Sequence, residues 1–314
     1  MAHAAPGKSH REGISLMQLI DMFPDEESAR KWFEDITWPK GRYCPKCGST
    51  NTHEAKHAKS PYRCRDCKKY FSVKTGTVMA GSPIPLRKWA FAIYMEVVNL
   101  KGVSAMKLHR DLDVSYPTAW FMLHRIREAF GDEGGQPMQG PVEVDETYVG
   151  GRRRNMSNSK RRELKDSGRG AVGKAAVVGA KDRGTKQVRA KVVEATDRET
   201  LHGFIRGHVA DDATVYTDEA TAYAGMPNPH ETVKHSVSEY VRDMAHTNGI
   251  ESFWSMLKRG YMGTYHKMSA KHLQRYVNEF AGRHGMRDLD TISQLQSVVA
   301  GMVGKRLMWR ELTS

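Results

Sequence analysis

Apolar residues recur at helical spacing through the first third of the chain and predict five helices there. Side chains three or four positions apart share one face of a helix, so this spacing marks the side that packs inward. Pro24 separates the first two helices, and Pro83 and Pro85 lead into the third. Ser104 can cap the fourth, and Pro117 suits the first turn of the fifth. The predicted helices cover residues 15–23, 26–36, 86–99, 104–112 and 117–130.

A different period begins midway along the chain, where valines alternate with polar residues as in a β-strand. Val142 and Val144 fall on one face of this strand, and Glu143, Asp145 and Thr147 fall on the other. Carboxylates on an otherwise buried strand are costly unless a cation pairs with them, and a divalent metal ion is the usual partner of clustered oxygen ligands. The alternative is an edge strand with a solvated acidic face.

The residues after the acidic strand predict further strands and helices. A buried strand and a half-covered strand form an antiparallel hairpin, and a short helix then leads to a fourth strand that ends at Asp218. This order is similar to an α/β, RNase H-like core, in which carboxylates of the first and fourth strands meet in the middle of a mixed sheet. The predicted elements are strands over 175–180, 187–193 and 213–217 and a helix over 199–209.

A long amphipathic helix is predicted over residues 250–261, directly after Asn248. Glu251 and Lys258 are seven positions apart, so they lie only about 20° from each other around this helix. An acid and a cation on one face suit a metal ion and a DNA phosphate. Asn248 and Glu251 also have the spacing of a capping box, in which Glu251 would only satisfy backbone donors. Helices over 270–283 and 291–309 follow, and the last is expected to pack on the same domain.

The charge balance indicates a polyanionic partner. The 314 residues include 49 Lys and Arg against 36 Asp and Glu, which gives a formal net charge of +13. Nucleic acid is the commonest partner of so basic a protein, and an anionic membrane surface is the alternative. Apolar runs stay well below the roughly 18 residues that span a bilayer, and the first residues lack the apolar core of a signal peptide. We therefore expect a cytoplasmic protein that has two or three domains and no membrane partner.

Four cysteines lie within 24 residues of one another and predict a structural zinc site. They form two C-x-x-C pairs with sixteen residues between the pairs, which is the spacing of a zinc ribbon. A catalytic zinc is disfavoured because four thiolates leave no position open for substrate. A redox dithiol pair is disfavoured because no βαβ pattern surrounds the cysteines. The predicted ligands are Cys44, Cys47, Cys64 and Cys67.

Two further segments are candidates for DNA contact. The helices after the ribbon have the short middle turn of a helix-turn-helix, although a plain helical connector would look the same. A strongly basic loop follows the acidic strand and is placed to hold a polyanionic backbone, although it could be only a mobile, solubilising loop. The candidate contacts are Tyr116, Thr118, Arg125 and Arg127 in the helices, Arg152, Arg153, Arg154, Arg161 and Arg162 in the loop, and Lys271 on the basic face of a later helix.

The ribbon, the helical segment and three later motifs resemble, in this order, the zinc-ribbon DDE transposases of bacterial insertion sequences. The motifs are VEVDETYVGG, VYTDEATAY and HTNGIESFWSMLKRGYMGTYHKMSAKHL, and the last is the most specific. The resemblance covers about residues 15–290. It divides the chain into N-terminal helices (1–39), a zinc ribbon (40–82), a helical, helix-turn-helix-like DNA-binding segment (83–130), a linker (131–140), an RNase H-like DDE catalytic domain (141–290) and a C-terminal helix (291–314).

The resemblance also implies a site and a reaction. Asp145, Asp218 and Glu251 match the three catalytic acids, and Lys258 matches the basic residue that follows the third; Asn248 is a second candidate for the third position. The implied reaction is phosphoryl transfer with two Mg²⁺ or Mn²⁺ ions, which frees a 3′-hydroxyl at the transposon end and joins it to target DNA. The implied partners are double-stranded DNA and further copies of the chain, in the bacterial cytosol at the nucleoid.

Two other functions fit part of the same pattern. One is a catalytically inactive DNA-binding regulator derived from a transposase, which would use the ribbon and the helical segment alone. The other is an RNase H-like nuclease that cuts DNA without joining it. The three acids favour an enzyme over the regulator, because a protein that only binds DNA has no need of them at these positions.

Overall fold

The computed structural model describes five stretches of the chain, which fold into two units. The described residues are 13–131, 135–151, 155–163, 173–232 and 247–314. Counted over these residues, the ribbon unit comprises Met1–Phe130 and Arg287–Ser314, and the sheet unit comprises Gly131–Met286. Among the described residues there is no helix whose length and apolar content would let it cross a membrane.

The ribbon unit begins with two short helices, continues through a small sheet and returns to helices. Its elements are α1 (Leu16–Met22), α2 (Glu26–Thr37), β1 (Thr52–Glu54), β2 (Tyr62–Cys64), β3 (Tyr70–Phe71), α3 (Leu86–Val98), α4 (Ala105–Leu112) and α5 (Tyr116–Glu128). The three strands pair antiparallel in the order β1-β2-β3. Ser104 and Ser115 cap α4 and α5 by accepting hydrogen bonds from Lys107 and Thr118. Five helices therefore form where the apolar spacing predicts them.

The sheet unit has the strand order and directions of an RNase H-like core. Its elements are β4 (Val142–Val149), α6 (Asn158–Glu163), β5 (Ala175–Asp182), β6 (Val188–Val193), α7 (Arg198–His208), β7 (Val215–Thr217), a 3₁₀ turn (Thr221–Tyr223), β8 (His230–Thr232), α8 (Asn248–Gly260), a π-helical turn (Tyr261–Tyr265) and α9 (Ala270–Gly285). The order is β6-β5-β4-β7-β8. The hairpin strands run antiparallel, whereas β4, β7 and β8 run parallel. The predicted α/β, RNase H-like mixed sheet is confirmed.

Each face of this sheet covers its own hydrophobic core, as the alternation along β4 requires. Val142 and Val144 pack with residues of α7 such as Leu201 and Phe204. Val149, on the opposite face, packs with α8 and α9 through a second set of buried residues. The second set includes Val177, Ile250, Phe253, Trp254, Leu257, Leu273, Val277 and Phe280. The face of β4 that carries Glu143 and Asp145 is therefore the face that α8 covers.

The C-terminal residues belong to the ribbon unit, so the prediction that they pack on the catalytic domain is wrong. They form α10 (Thr291–Gly301) and α11 (Trp309–Thr313) instead of one helix over 291–309. A Cβ at Gly301 would lie 2.5 Å from the carbonyl oxygen of Ala129, so glycine lets α10 approach the end of α5 closely. Lys305 then donates to the carbonyl of Glu128, 2.9 Å away. The sequence could not show this return, because every partner lies far away along the chain.

The segment predicted as a linker contributes a residue to the sheet unit. Met138 is 3% exposed and belongs to the core under α7. Its backbone N–H donates to His208, and its carbonyl accepts from Ala210, at 2.9 and 3.0 Å. The core of the sheet unit therefore starts before Pro141. The extended segment expected over 233–242 lies outside the described residues, and the short strand β8 ends directly before it.

Candidate active site and zinc ribbon

The four predicted zinc ligands converge in the ribbon unit. Among the described residues, Cys44, Cys47, Cys64 and Cys67 form the single group of three or more possible ligands, and their Sγ atoms all lie within 4.8 Å of one another. The Sγ atoms of the pairs Cys44–Cys67 and Cys47–Cys64 are 3.7 Å apart. Four sulfurs at about 2.3 Å from one zinc ion are about 3.8 Å apart along each tetrahedral edge, whereas a disulfide is far shorter. The donor set therefore fits a structural zinc ion.

The backbone around Cys64 favours the thiolate form that zinc binds. Hydrogen bonds from the backbone of Cys67, and further ones from Asp66, lower the pKa of Cys64 to about 7. In the first pair, Gly48 takes a φ of +75° and donates its N–H to the carbonyl of Cys44 at 2.8 Å. This turn brings Cys47 back toward the second pair. The local sequence C-x-x-C-G is thus sufficient to shape one half of the site.

In the sheet unit, Asp145 and Asp218 lie on neighbouring parallel strands. Val142 pairs with Val215 and Glu143 with Tyr216 in the ladder between β4 and β7. Continuing this register by two residues brings Asp145 next to Asp218, and neighbouring strands are about 4.8 Å apart. Asp218 follows the last residue of β7 and accepts the N–H of Ala220 at 3.0 Å. The register therefore puts the two predicted acids level with each other on neighbouring segments.

Among the described residues, neighbouring acids act on the charge state of Asp145. Burial, the charge of Glu146 and the charge of Asp218 raise the pKa of Asp145 to about 7, against hydrogen bonds that lower it. Burial also raises the pKa of Glu146, which accepts a hydrogen bond of 2.5 Å from the hydroxyl of Tyr223. The negative charges of Glu146 and Asp218 thus act on the partly buried Asp145, and a cation at this position would lower the pKa of Asp145 again.

The third predicted acid lies on α8, whose first turn differs from the predicted capping box. Thr247 is the N-cap, and Asn248 is the first residue of the helix and is exposed. Glu251 is also exposed and accepts a hydrogen bond from the hydroxyl of Thr247 at 3.0 Å. The N-cap is therefore Thr247 and not Asn248, the residue that the predicted capping box would require. Lys258 is exposed two turns further along the same helix.

Two residues that the sequence did not single out tie α8 to the acidic strand. The buried Glu143 accepts the backbone N–H of Ile250 at 2.8 Å. The indole N–H of Trp254 donates to Oδ2 of Asp145 at 3.0 Å. A buried tryptophan normally finds an acceptor for its N–H, so the position of Trp254 on the predicted core face of α8 already implied an acceptor nearby. For Glu143 the signal was its place on the same face of the strand as Asp145.

Two predicted DNA contacts are wrong because their side chains are buried in the ribbon unit. Arg127 is 1% exposed, and its guanidinium lies 3.7 Å from the carboxylate of Glu96, which is also buried. Arg125 is 9% exposed and donates to the carbonyl oxygens of Leu307 and Ala80, both at 3.3 Å. Arginine has a long apolar stem and five hydrogen-bond donors, so it can bind buried carbonyl and carboxylate groups as readily as it binds a DNA phosphate.

The other predicted DNA contacts divide into exposed residues and residues outside the described stretches. Tyr116 is 46% exposed at the start of α5, and Thr118 in the same turn is half-buried. Arg161 and Arg162 are exposed on α6, and Lys271 is exposed on α9. Arg152, Arg153 and Arg154 lie outside the described residues.

The mixed RNase H-like sheet and the four-cysteine ribbon agree with the class of protein expected from the sequence, a zinc-ribbon transposase. Residues 137–284 match the ISXO2-like transposase domain, and residues 24–70 match the transposase zinc-ribbon domain. An uncharacterized protein of the transposable element ISH50 from Halobacterium salinarum is 31% identical over 276 residues, which cover 84% of this chain and 92% of that protein. The chain therefore belongs to the zinc-ribbon DDE transposases of insertion sequences.

A similarity to a solved structure is much weaker. It is the cryo-EM structure of the simian T-cell lymphotropic virus intasome in complex with the PP2A regulatory subunit B56 gamma. The identity is 14%, the match covers 61% of this chain and 64% of that chain, and the TM-score is 0.29. The fold assignment therefore rests on the strand order and the family match.

Proposed function

We propose that this transposase binds the DNA ends of its insertion sequence, cleaves them to free a 3′-hydroxyl and joins that hydroxyl to target DNA. The observation that carries the proposal is the parallel register of β4 and β7, which if continued puts Asp145 level with Asp218 directly after β7; the charge of Asp218 contributes to the raised pKa of Asp145. Neighbouring negative charges of this kind favour a bound cation. A divalent cation bound to a DNA phosphate would supply the positive charge.

The donor set fits Mg²⁺ or Mn²⁺, which prefer carboxylate oxygens. Asp145 and Asp218 would hold the ions, and Glu251 would complete the site from α8. When bound, the ions would lower the pKa of the attacking water or 3′-hydroxyl and would stabilise the negative charge on the leaving oxygen.

The reaction needs no energy-supplying cofactor because cleavage is a hydrolysis and joining exchanges one ester bond for another. In cleavage, the oxygen of water bonds to phosphorus, the bond from phosphorus to the 3′ oxygen breaks, and that oxygen takes up a proton. In joining, the freed 3′ oxygen bonds to a target phosphorus and loses its proton, while the target's own 3′ oxygen leaves as a hydroxyl. Protein side chains form no covalent intermediate in either step.

The exposed basic residues would orient the DNA. Lys258 shares a face of α8 with Glu251, so it can contact a phosphate next to the acids. Arg161, Arg162 and Lys271 would add phosphate contacts in the sheet unit, and Tyr116 and Thr118 would contact the duplex from the ribbon unit. Arg152, Arg153 and Arg154 remain candidate contacts from the sequence. Because two transposon ends must be processed, we propose that the chain acts as an oligomer.

The direct test compares wild type with Asp145→Asn in Mg²⁺-dependent cleavage and joining of the end DNA. We expect both activities to fall by about a thousandfold or more, which corresponds to about 4 kcal/mol of transition-state stabilisation, while end binding persists. Glu199→Gln removes an exposed acid on α7 and should be fully active. Equal activity of Asp145→Asn and wild type would refute the proposed function.

A second assay separates a transposase from a nuclease on the same fold. DNA ends that are already cut and carry a free 3′-hydroxyl are offered together with target DNA. A transposase joins them, and Asp145→Asn does not. Cleavage of uncut ends without any joined product from cut ends would show a nuclease.

The identity of the third catalytic residue is tested by separate substitutions of Glu251 and Asn248. We expect Glu251→Gln to abolish cleavage and Asn248→Ala to retain it, because Glu251 offers the charged oxygens. Loss of activity in Asn248→Ala alone would assign the third position to Asn248.

A further inference from the structure

Helix α8 is attached to strand β4 by two side-chain hydrogen bonds that lie one helical turn apart. Glu143 accepts from the N–H of Ile250, and Asp145 accepts from the indole of Trp254. Residues two apart on a strand are separated by about 6.6 Å, and residues four apart on a helix rise by about 6 Å. The two spacings match, so Glu143 and Asp145 can both meet α8 without bending either element.

The first attachment is a helix cap supplied by another element. Thr247, the N-cap of α8, makes no capping hydrogen bond with its side chain, and the carboxylate of Glu143 accepts from the first turn instead. Glu143 is 1% exposed and is paired with Arg183 at 2.8 Å. A carboxylate at the start of a helix is stabilised by the free backbone N–H groups and the helix dipole.

Gly249 leaves room for this cap. A Cβ at Gly249 would lie 2.6 Å from Oε2 of Glu143 and 2.7 Å from Nζ of Lys181. A larger residue would therefore have to displace the carboxylate of Glu143, which is the group that accepts from Ile250. The motif HTNGIESFW places this glycine directly before the residue whose N–H is capped.

The second attachment depends on a glycine as well. Gly179 on β5 is paired with Asp145 on β4, and the indole of Trp254 lies over it. A Cβ at Gly179 would be 2.7 Å from two ring carbons of Trp254. The bare backbone there gives the ring room to reach across and donate to Asp145.

We propose that Glu143 and Trp254 are positioning residues that fix the register between β4 and α8. They thereby hold Asp145 in one orientation and present Glu251, which lies directly after Ile250, to the same site. This inference rests on the proposed function, because it assumes that Asp145 and Glu251 bind the catalytic cations.

The test for Trp254 measures Mn²⁺ binding to the zinc-loaded protein by electron paramagnetic resonance. Trp254→Phe keeps a ring over Gly179 but removes the donor, and we expect the Kd for Mn²⁺ to rise about tenfold, as with other partners of metal ligands. Phe280→Leu weakens the same hydrophobic core without touching Asp145, and its Kd should stay within about twofold of wild type on the same argument. Unchanged binding in Trp254→Phe, or equal weakening in Phe280→Leu, would overturn the role of Trp254.

The same titration separates this inference from the proposed function. Asp145→Ala should lose Mn²⁺ binding at the site, and tryptophan fluorescence gives a second signal. Mn²⁺ should quench the fluorescence of Trp254, which is the difference between the emission of wild type and that of Trp254→Phe. If Asp145→Ala binds Mn²⁺ as wild type does, the proposed function fails. If only Trp254→Phe is unaffected, the positioning role fails and the proposed function stands.

The test for Glu143 compares Glu143→Gln with Glu143→Ala by hydrogen exchange of the Ile250 amide. Gln keeps an oxygen that can accept from this N–H, whereas Ala removes it. We expect exchange to accelerate at least about tenfold in the Ala variant and by less in the Gln variant, since the lost protection follows the lost acceptor. Equal exchange in wild type and Glu143→Ala would overturn the cap.

Discussion

The two candidate metal sites of this chain are built in opposite ways. The ribbon takes its four cysteines from two short turns, and their sulfurs already stand at the spacing of a zinc tetrahedron. The proposed carboxylate site would take Asp145 from β4, Asp218 from the residue after β7 and Glu251 from α8, and these three acids do not converge as a ligand group among the described residues.

The ligands of the two sites also differ in their surroundings. Backbone hydrogen bonds lower the pKa of Cys64 to about 7, whereas, against a backbone hydrogen bond at Ser49, burial and the other three thiols raise the pKa of Cys47 to about 12, so zinc must displace a proton from Cys47. Burial and neighbouring acids raise the pKa of Asp145, so its metal-binding form is disfavoured until a cation arrives. A structural site is closed and complete, whereas a catalytic site keeps charge and open positions for its substrate.

The largest expected effect is the loss of the ribbon when zinc is removed. Structural zinc contributes on the order of 10 kcal/mol to small metal-bound folds, so chelation or Cys64→Ser should unfold β1 to β3. Zinc content by atomic absorption and the NMR signals of these strands would report the change. Asp145→Asn is the matched control, and it should retain one zinc ion per chain. An ordered ribbon without zinc would contradict the comparison.

Removing a ligand from the carboxylate site should stabilise the fold, whereas removing zinc from the ribbon should destabilise it. In Mg²⁺-free buffer above pH 7, Asp145→Asn should raise the free energy of unfolding by about 2–4 kcal/mol, because the buried charge is gone. Asn can still accept the hydrogen bond from Trp254. Thermal or urea unfolding measures the effect, and Glu199→Gln should change stability by less than about 0.5 kcal/mol as an exposed surface substitution.

The pH dependence of this gain follows from the direction of the shift. Asp145 has a folded-state pKa of about 7 against a reference value of 3.8, so its carboxyl binds a proton more tightly in the folded protein. The penalty is absent below the reference value and grows as pH rises toward the folded pKa. The advantage of Asp145→Asn over wild type should therefore vanish at acidic pH. A constant difference across pH would contradict the assigned cause.

Features built from residues close together in the chain could be predicted from the sequence, whereas contacts between distant residues could not. The ribbon and the order of strands and helices depend on local spacing, so both could be inferred directly. Strand β8 could not be predicted from the sequence, because His230–Thr232 has no apolar run to mark it. The buried roles of Arg125 and Arg127 could not either, since partners such as Leu307 and Glu96 lie elsewhere in the chain.

Within the carboxylate site, the motifs identified the acids but not what holds them. Asp145 was indicated by its strand and by the family resemblance, which favoured it over Glu143. The link from Trp254 to Asp145 depends on Gly179 in another strand, and a pattern of single residues does not show such a contact. The local pattern determines which strand or helix forms, and tertiary contacts of this kind then determine how its side chains are oriented.

A smaller effect is expected from Gly179→Ala, which tests the crowding around Trp254. The added Cβ would meet the indole ring at 2.7 Å, so the ring must shift away from Asp145. Overpacking of this kind costs about 1–3 kcal/mol, and thermal unfolding would measure it. Gly203→Ala in α7 is the matched control, since nothing lies within 4 Å of its Cβ. That variant should gain up to about 1 kcal/mol from helix propensity. Equal stability of the two variants would contradict the crowded site.

The smallest effect is expected at Thr247, whose hydroxyl restrains the exposed Glu251. Thr247→Val keeps the shape of the side chain but removes the hydrogen bond, which is worth about 0.5–1 kcal/mol. Glu251 then samples more rotamers, so the Kd for Mn²⁺ should rise about two- to fivefold. Thr247→Ser keeps the hydroxyl and should bind Mn²⁺ as wild type does. Tighter binding in Thr247→Val would instead show that the hydrogen bond holds Glu251 away from the site, because freeing the carboxylate would then complete the ligand set.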